Sequence, residues 1–210
     1  PANVSVLLQI LILLTILTMA PAILLMTTSF IRIVVVLSFL RQAMGTQQMP
    51  PNQIIIGLAM FLTLFIMYPG LNKINETALQ PYLQEQIGEQ KAFRLAVKPI
   101  RDFMFSQVRE EDLKLMLEVA GNEPPNVKED VSTLTLVPAF MLSELRRAFQ
   151  IGFMIFVPFL VIDMVTASVL MTMGMLMLPP IIVSLPFKVL LFVLVDGWNL
   201  VVGSLVKGFY

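Results

Sequence analysis

A chain of 210 residues that is 57% hydrophobic and only 13% charged falls outside the balance of water-soluble domains, where charged residues approach about a quarter of the total. Its net charge of zero gives no basic field to collect nucleic acid, so nucleic-acid binding is excluded early. Histidine and cysteine are both absent, which removes the commonest general base, the commonest metal ligands, thiol catalysis and disulfides. No enzyme activity, cofactor or metal site is therefore expected.

Of the 28 charged side chains, 19 lie between Lys73 and Asp130, whereas only Arg32 and Arg41 precede that stretch and only Asp163, Lys188, Asp196 and Lys207 follow Arg147. A wet middle flanked by apolar arms implies two solvent environments. Pro1 stands where an initiating Met would, so removal of something upstream is expected, a cleaved signal peptide being one candidate.

From Pro1 to Ile31 there is no charged residue, and about 20 apolar residues suffice to cross a bilayer core as a helix. Pro21 removes a backbone donor inside that run, so a kink or break is expected there. The next uncharged run, Gln42 to Asn72, is most apolar from Ile54 to Tyr68; Pro50 and Pro51 are expected to open its helix, and Pro69 and Gly70 to close it. Between these spans, Arg32 to Asn52 carries Arg32 and Arg41 and no acid, which places it on the cytoplasmic side. By parity the charged middle region is extracytoplasmic.

That region, about 71–136, reads as short helices. In Glu110 to Ala120, Leu113, Met116, Leu117 and Ala120 recur at helical spacing; Glu110, Glu111 and Asp112 suit a helix start and Gly121 its end. A cation site at those acids is the weaker reading, because adjacent helical residues point in different directions. Ala92 to Met104 is a second helix candidate, interrupted at Pro99, and Gly121 to Asp130, with Pro124 and Pro125, is a loop. After Pro138, expected in a helix's first turn, Ala148 to Leu178 is uncharged except for Asp163, and Ile181 to Val206 carries only Lys188 and Asp196. The expected fold is all-α, with about four long apolar helices and a helical extracytoplasmic domain between the second and third. The domains are 1–70, 71–136 and 137–210.

Three stretches carry a resemblance. They are Thr28-Ser-Phe-Ile-Arg-Ile-Val-Val-Val-Leu-Ser-Phe-Leu-Arg41 continuing through Gly45-Thr-Gln-Gln-Met-Pro-Pro-Asn52; Pro138-Ala-Phe-Met-Leu-Ser-Glu-Leu-Arg-Arg-Ala-Phe-Gln-Ile-Gly152; and Pro158-Phe-Leu-Val-Ile-Asp163, leading to Met173-Gly-Met-Leu-Met-Leu-Pro-Pro180. In order and spacing they resemble the FliP/SctR family of type III secretion export-gate proteins over nearly the whole chain except the charged middle. Arg32, Arg41 and Leu37-Ser-Phe-Leu40 resemble the flagellar branch. The resemblance implies a pentameric ring of copies of this chain, completed by a FliR-like chain and surrounded by small FliQ-like hairpins. It implies a place in the bacterial cytoplasmic membrane at the flagellar basal body, in contact with lipid, with unfolded flagellar subunits as cargo. It also implies that the apolar helices can be lifted out of the bilayer plane. A stand-alone transporter of small solutes or ions is the alternative from another class; it would show internal repeats and matching broken helices, and no convincing repeat is present.

Two features come closest to a mechanism. Met171, Met173, Met175 and Met177 cannot share one face of an ideal helix, but Gly174 and Pro179-Pro180 favour a break that would put them in a loop. An ordinary Met-rich apolar helix is the plain alternative. With the resemblance, Met173, Met175, Leu176 and Met177 become the expected pore gate, Leu176 standing where the family often has another methionine. The second feature is the ionisable set Arg32, Glu144, Asp163, Lys188 and Asp196 in apolar segments, each costing on the order of 3 kcal/mol or more if buried unpaired. Inter-helix or inter-subunit ion pairs are expected in preference to a proton path, with Glu144 and Lys188 as partners and Glu144 with Arg147 as the local competitor.

Overall fold

The computed structural model describes residues 2–46, 48–121, 127–175 and 177–210, and the regular structure among them is all helical. In chain order the elements are α1 (Ala2–Met26), α2 (Phe30–Ala43), α3 (Asn52–Ile74), a π turn (Asn75–Leu79), α4 (Gln80–Leu83), α5 (Glu89–Gln107), α6 (Glu110–Val119), a 3-10 turn (Lys128–Asp130), α7 (Thr133–Thr172), α8 (Pro180–Leu194) and α9 (Gly197–Lys207). They form two compact units, Pro1–Ser29 with Gly70–Met141 and Phe30–Pro69 with Leu142–Tyr210. Leu176 and the Pro124-Pro125 pair lie outside the described residues.

Three helical stretches are long and apolar enough to cross a membrane: Val6–Met26, Asn52–Leu83 and Thr133–Thr172. A fourth is counted if α8 and α9, bent by 62° at their junction, make one span. Every described side chain from Val6 to Met26 is exposed, and apolar side chains on all sides of a helix need lipid or another chain against them. At about 1.5 Å per residue α7 is about 60 Å long, twice a typical hydrocarbon core, so its 40 residues cannot all lie inside one.

Several expected breaks are absent. α3 runs through Pro69 into the π turn and α5 through Pro99; of the kink or break expected at Pro21 the break is absent, α1 being helical on both sides of it. α7 begins at Thr133, which places Pro138 in its second turn rather than its first. A proline forfeits one backbone bond, whereas ending a helix orphans up to four carbonyls. In the apolar surroundings of α1 and α3 each orphan costs several kcal/mol, so continuation wins there. At the C-terminal end, the apolar stretch Ile181 to Val206 is a bent pair of helices. Asp196 takes a left-handed conformation (φ 50°, ψ 53°) and ends α8 before α9 starts.

In the first unit α5, α6 and the start of α7 close over Met104, Val131, Leu136 and Phe140, with the Phe103 and Phe140 rings edge to face at 5.9 Å. The Arg101 guanidinium donates to the Val131 carbonyl at 2.6 Å and to the Thr133 hydroxyl, tying α5 to the chain entering α7. α6 occupies Glu110–Val119 and ends where Gly121, at φ +66°, donates to the Glu118 carbonyl.

In the second unit the core is Leu40, Ala43, Met44, Phe159 and Phe192, contributed by α2 and the turn after it, α7 and α8. α2 approaches α7 closely at Gly152, where a Cβ would stand 2.6 Å from Cδ2 of Phe39. The Phe39 ring then fits edge-on between Phe149, at 5.0 Å, and Phe156, at 6.2 Å. This packing fixes where the buried charges of α2, α7 and α8 meet.

Candidate functional site

α7 ends in a Schellman cap. Gly174, at φ +72°, donates to the Met171 carbonyl at 3.1 Å, and Met175 donates to the Leu170 carbonyl at 3.0 Å. Only glycine adopts that backbone without strain, so the helix stops in the middle of the methionine run. Pro179 and Pro180 then start α8. The short connection that results carries Met173, 67% exposed, Met175, 41%, and Met177, 97%. Among the described residues nothing covers Met177. Met171 lies in the last turn of α7, whereas Met173, Met175 and Met177 lie beyond its end, so the run divides between the helix and the loop readings.

The buried charges pair within the chain, in a different combination from the one expected. Glu144 does not meet Lys188. It takes Arg32 instead, whose Nε donates to Oε2 at 2.8 Å while Nη2 donates to Oε1. Arg32 and Glu144 are 2% and 0% exposed. The guanidinium also donates to the Gly208 carbonyl at 3.1 Å and lies 3.7 Å from the centroid of the Phe209 ring. The forked, bidentate geometry is why an arginine serves here, a lysine offering only a point charge. Arg147, the local competitor, stands at 3.9 Å from Glu144 and adds a weak outer contact.

Lys188 takes Asp163, its Nζ donating to Oδ2 at 2.6 Å. The other carboxylate oxygen, Oδ1, accepts from the hydroxyl of Ser184. Ser184 and Lys188 are buried one helical turn apart on α8, so both reach the same carboxylate on α7. Sequence reasoning missed Ser184, although its position four residues before the lysine was a usable signal. It also missed Phe209, which no spacing connects to Arg32. Asp196 is exposed and accepts from the Asn199 amide at 3.1 Å; its role is to turn the chain between α8 and α9. Among the described residues no three His, Cys, Asp or Glu side chains converge as metal ligands would.

An exposed methionine loop and two ion pairs make a surface and a scaffold. The FliP family matches residues 13–205 of this chain. The chain belongs to the FliP family. The flagellar biosynthetic protein FliP of Bacillus subtilis (strain 168) is 54% identical over 209 residues, covering 100% of this chain and 95% of the relative. Its counterpart in Pectobacterium carotovorum subsp. carotovorum is 53% identical, covering 96% and 78%, and that in Aquifex aeolicus (strain VF5) is 51% identical, covering 96% and 85%. As a family member the chain is a component of the flagellar type III export gate in the inner membrane, at the flagellar basal body, and not an enzyme. That membership displaces the stand-alone transporter.

Proposed function

We propose that this chain is one wall segment of a ring-shaped protein-conducting gate, and that its Met173–Met177 loop is the constriction that keeps the resting channel closed. The observation that carries the reading is the 97% exposure of Met177 at the end of a hairpin between two apolar helices. Lone surface apolar residues are ordinary, but methionines clustered on a loop form a soft, polarizable surface that can close on copies of itself and repack around a passing segment. Five copies, each donating one loop, would converge on the axis; FliR-like and FliQ-like subunits would complete and flank the ring, and unfolded flagellar subunits would pass through it. The outward apolar faces of α1, α3 and α7 would meet lipid or those neighbours.

Residues 71–136 are assigned to the extracytoplasmic side, as a helical cap held by the Met104–Phe140 core. Leu176 belongs to the gate by its place in the chain. Replacing the methionines with alanine and measuring ion leakage through assembled complexes tests the reading. Leakage supports it, and a closed resting channel refutes it.

A further inference from the structure

We infer that Asp163, Ser184 and Lys188 are positioning residues for the methionine loop: a polar clasp that fixes α7 against α8 and so aims Met173, Met175 and Met177. The inference rests on the gate reading above.

Its basis is where the clasp lies. Asp163 is on the arm leading into the loop, Ser184 and Lys188 are on the arm leaving it, and together they use both oxygens of one carboxylate. Two bonds to two different oxygens define a direction as well as a distance, so they resist rotation of one helix about the other in a way a single ion pair does not. Thr172 lies nine positions beyond Asp163 on α7, about 13 Å of helix at about 1.5 Å per residue. With that lever arm, about 10° of play at the clasp displaces the loop by about 2 Å, about half the van der Waals width of a methylene group and enough to loosen a seal made of side chains.

The surroundings leave the clasp little freedom. Lys188 is 4% exposed by its side chain, and a Cβ on Gly45 would stand 3.8 Å from its Nζ and 3.9 Å from Ile181, so the turn after α2 lies directly over the cation. Below it, Phe159 and Phe192 of the same two helices pack at 6.4 Å. Apolar packing alone would hold the helices together. The buried Lys188 is costly to desolvate even with Asp163, 26% exposed, beside it, and a matched apolar pair is often equally stable, so stability is a poor explanation for their presence at the foot of this hairpin. Directional restraint of the loop explains it.

The test uses the complete assembled complex in mild detergent. Nitroxide labels at Val169 and Ile182, on the two arms between clasp and loop, report the hairpin geometry by pulsed electron–electron distance measurement, and ion leakage through reconstituted complexes reports the seal. The double variant Asp163→Asn with Lys188→Met removes both charges together and so avoids an orphaned ion. The expected result is an assembled complex that loses the narrow distance peak of the wild type and leaks ions, with Lys188→Arg retaining the peak. Ser184→Ala, which removes one bond and no charge, is expected to broaden the peak by a smaller amount. An assembled double variant or Ser184→Ala complex with the wild-type distance peak overturns the inference. Loss of the peak without leakage supports the clasp and refutes the gate reading, so the two fail separately.

Discussion

Converting Glu144 to Gln keeps the shape of the side chain and removes its charge. The Arg32 guanidinium, 2% exposed, then faces the Gly208 carbonyl and the Phe209 ring without its carboxylate. Breaking a buried pair by neutralising one partner costs about 3–5 kcal/mol, against a total folding stability of about 5–15 kcal/mol. Arg147 offers little compensation, because it sits 3.9 Å away and is 32% exposed, a geometry worth about 0–1 kcal/mol. The expected outcome is a sharp fall in the yield of monodisperse protein in mild detergent and an earlier midpoint in SDS-induced unfolding. Arg32→Met with Glu144→Leu, which removes both charges and keeps volume, is expected to recover most of the loss. Exchanging the charges of Glu144 and Lys188 is expected to rescue nothing, since those side chains belong to different pairs. A Glu144→Gln protein with the unfolding midpoint of the wild type, or rescue by the Glu144/Lys188 exchange, would refute this reasoning.

Gly152→Ala puts a methyl carbon 2.6 Å from Cδ2 of Phe39, a contact that must shift the ring out of its place between Phe149 and Phe156; a loss of about 1–3 kcal/mol is expected in the same unfolding assay. A cysteine at Glu85, on the exposed turn after α4, is expected to react with a membrane-impermeant maleimide added from outside. Labelling only from the cytoplasmic side would reverse the proposed orientation.

Much of the helical pattern was legible because the physics that sets it is local. The acids at Glu110, Glu111 and Asp112, the apolar spacing after them and the glycine at 121 describe α6, which runs from Glu110 to Val119. Gly174 marked the end of α7 for the same reason, since a left-handed residue is required there. The prolines misled. Pro69 and Pro99 carry a penalty in propensity, but the balance is decided by the backbone bonds that would be lost on stopping, and that depends on surroundings the sequence does not state.

For the charges, burial cost announced that Arg32, Glu144, Asp163 and Lys188 need partners, yet it is silent on which. Asp163 and Lys188 lie 25 residues apart across one hairpin, and the register of that hairpin about Gly174 and Pro179 would have suggested them. Arg32 and Glu144 lie 112 residues apart and meet only because Gly152 lets α2 against α7, a packing fact with no local signature.

The methionine loop is tested most directly by ion conductance. Complexes carrying Met173→Ala, Met175→Ala and Met177→Ala together, purified at wild-type stoichiometry and placed in planar bilayers, should conduct ions without export cargo, because three exposed thioethers per chain are removed from the proposed constriction while no residue of the buried core is touched. Wild-type complexes should stay closed under the same voltage. Triple-variant complexes that assemble fully and remain as closed as the wild type would contradict the gate and place the seal elsewhere in the chain or in a partner.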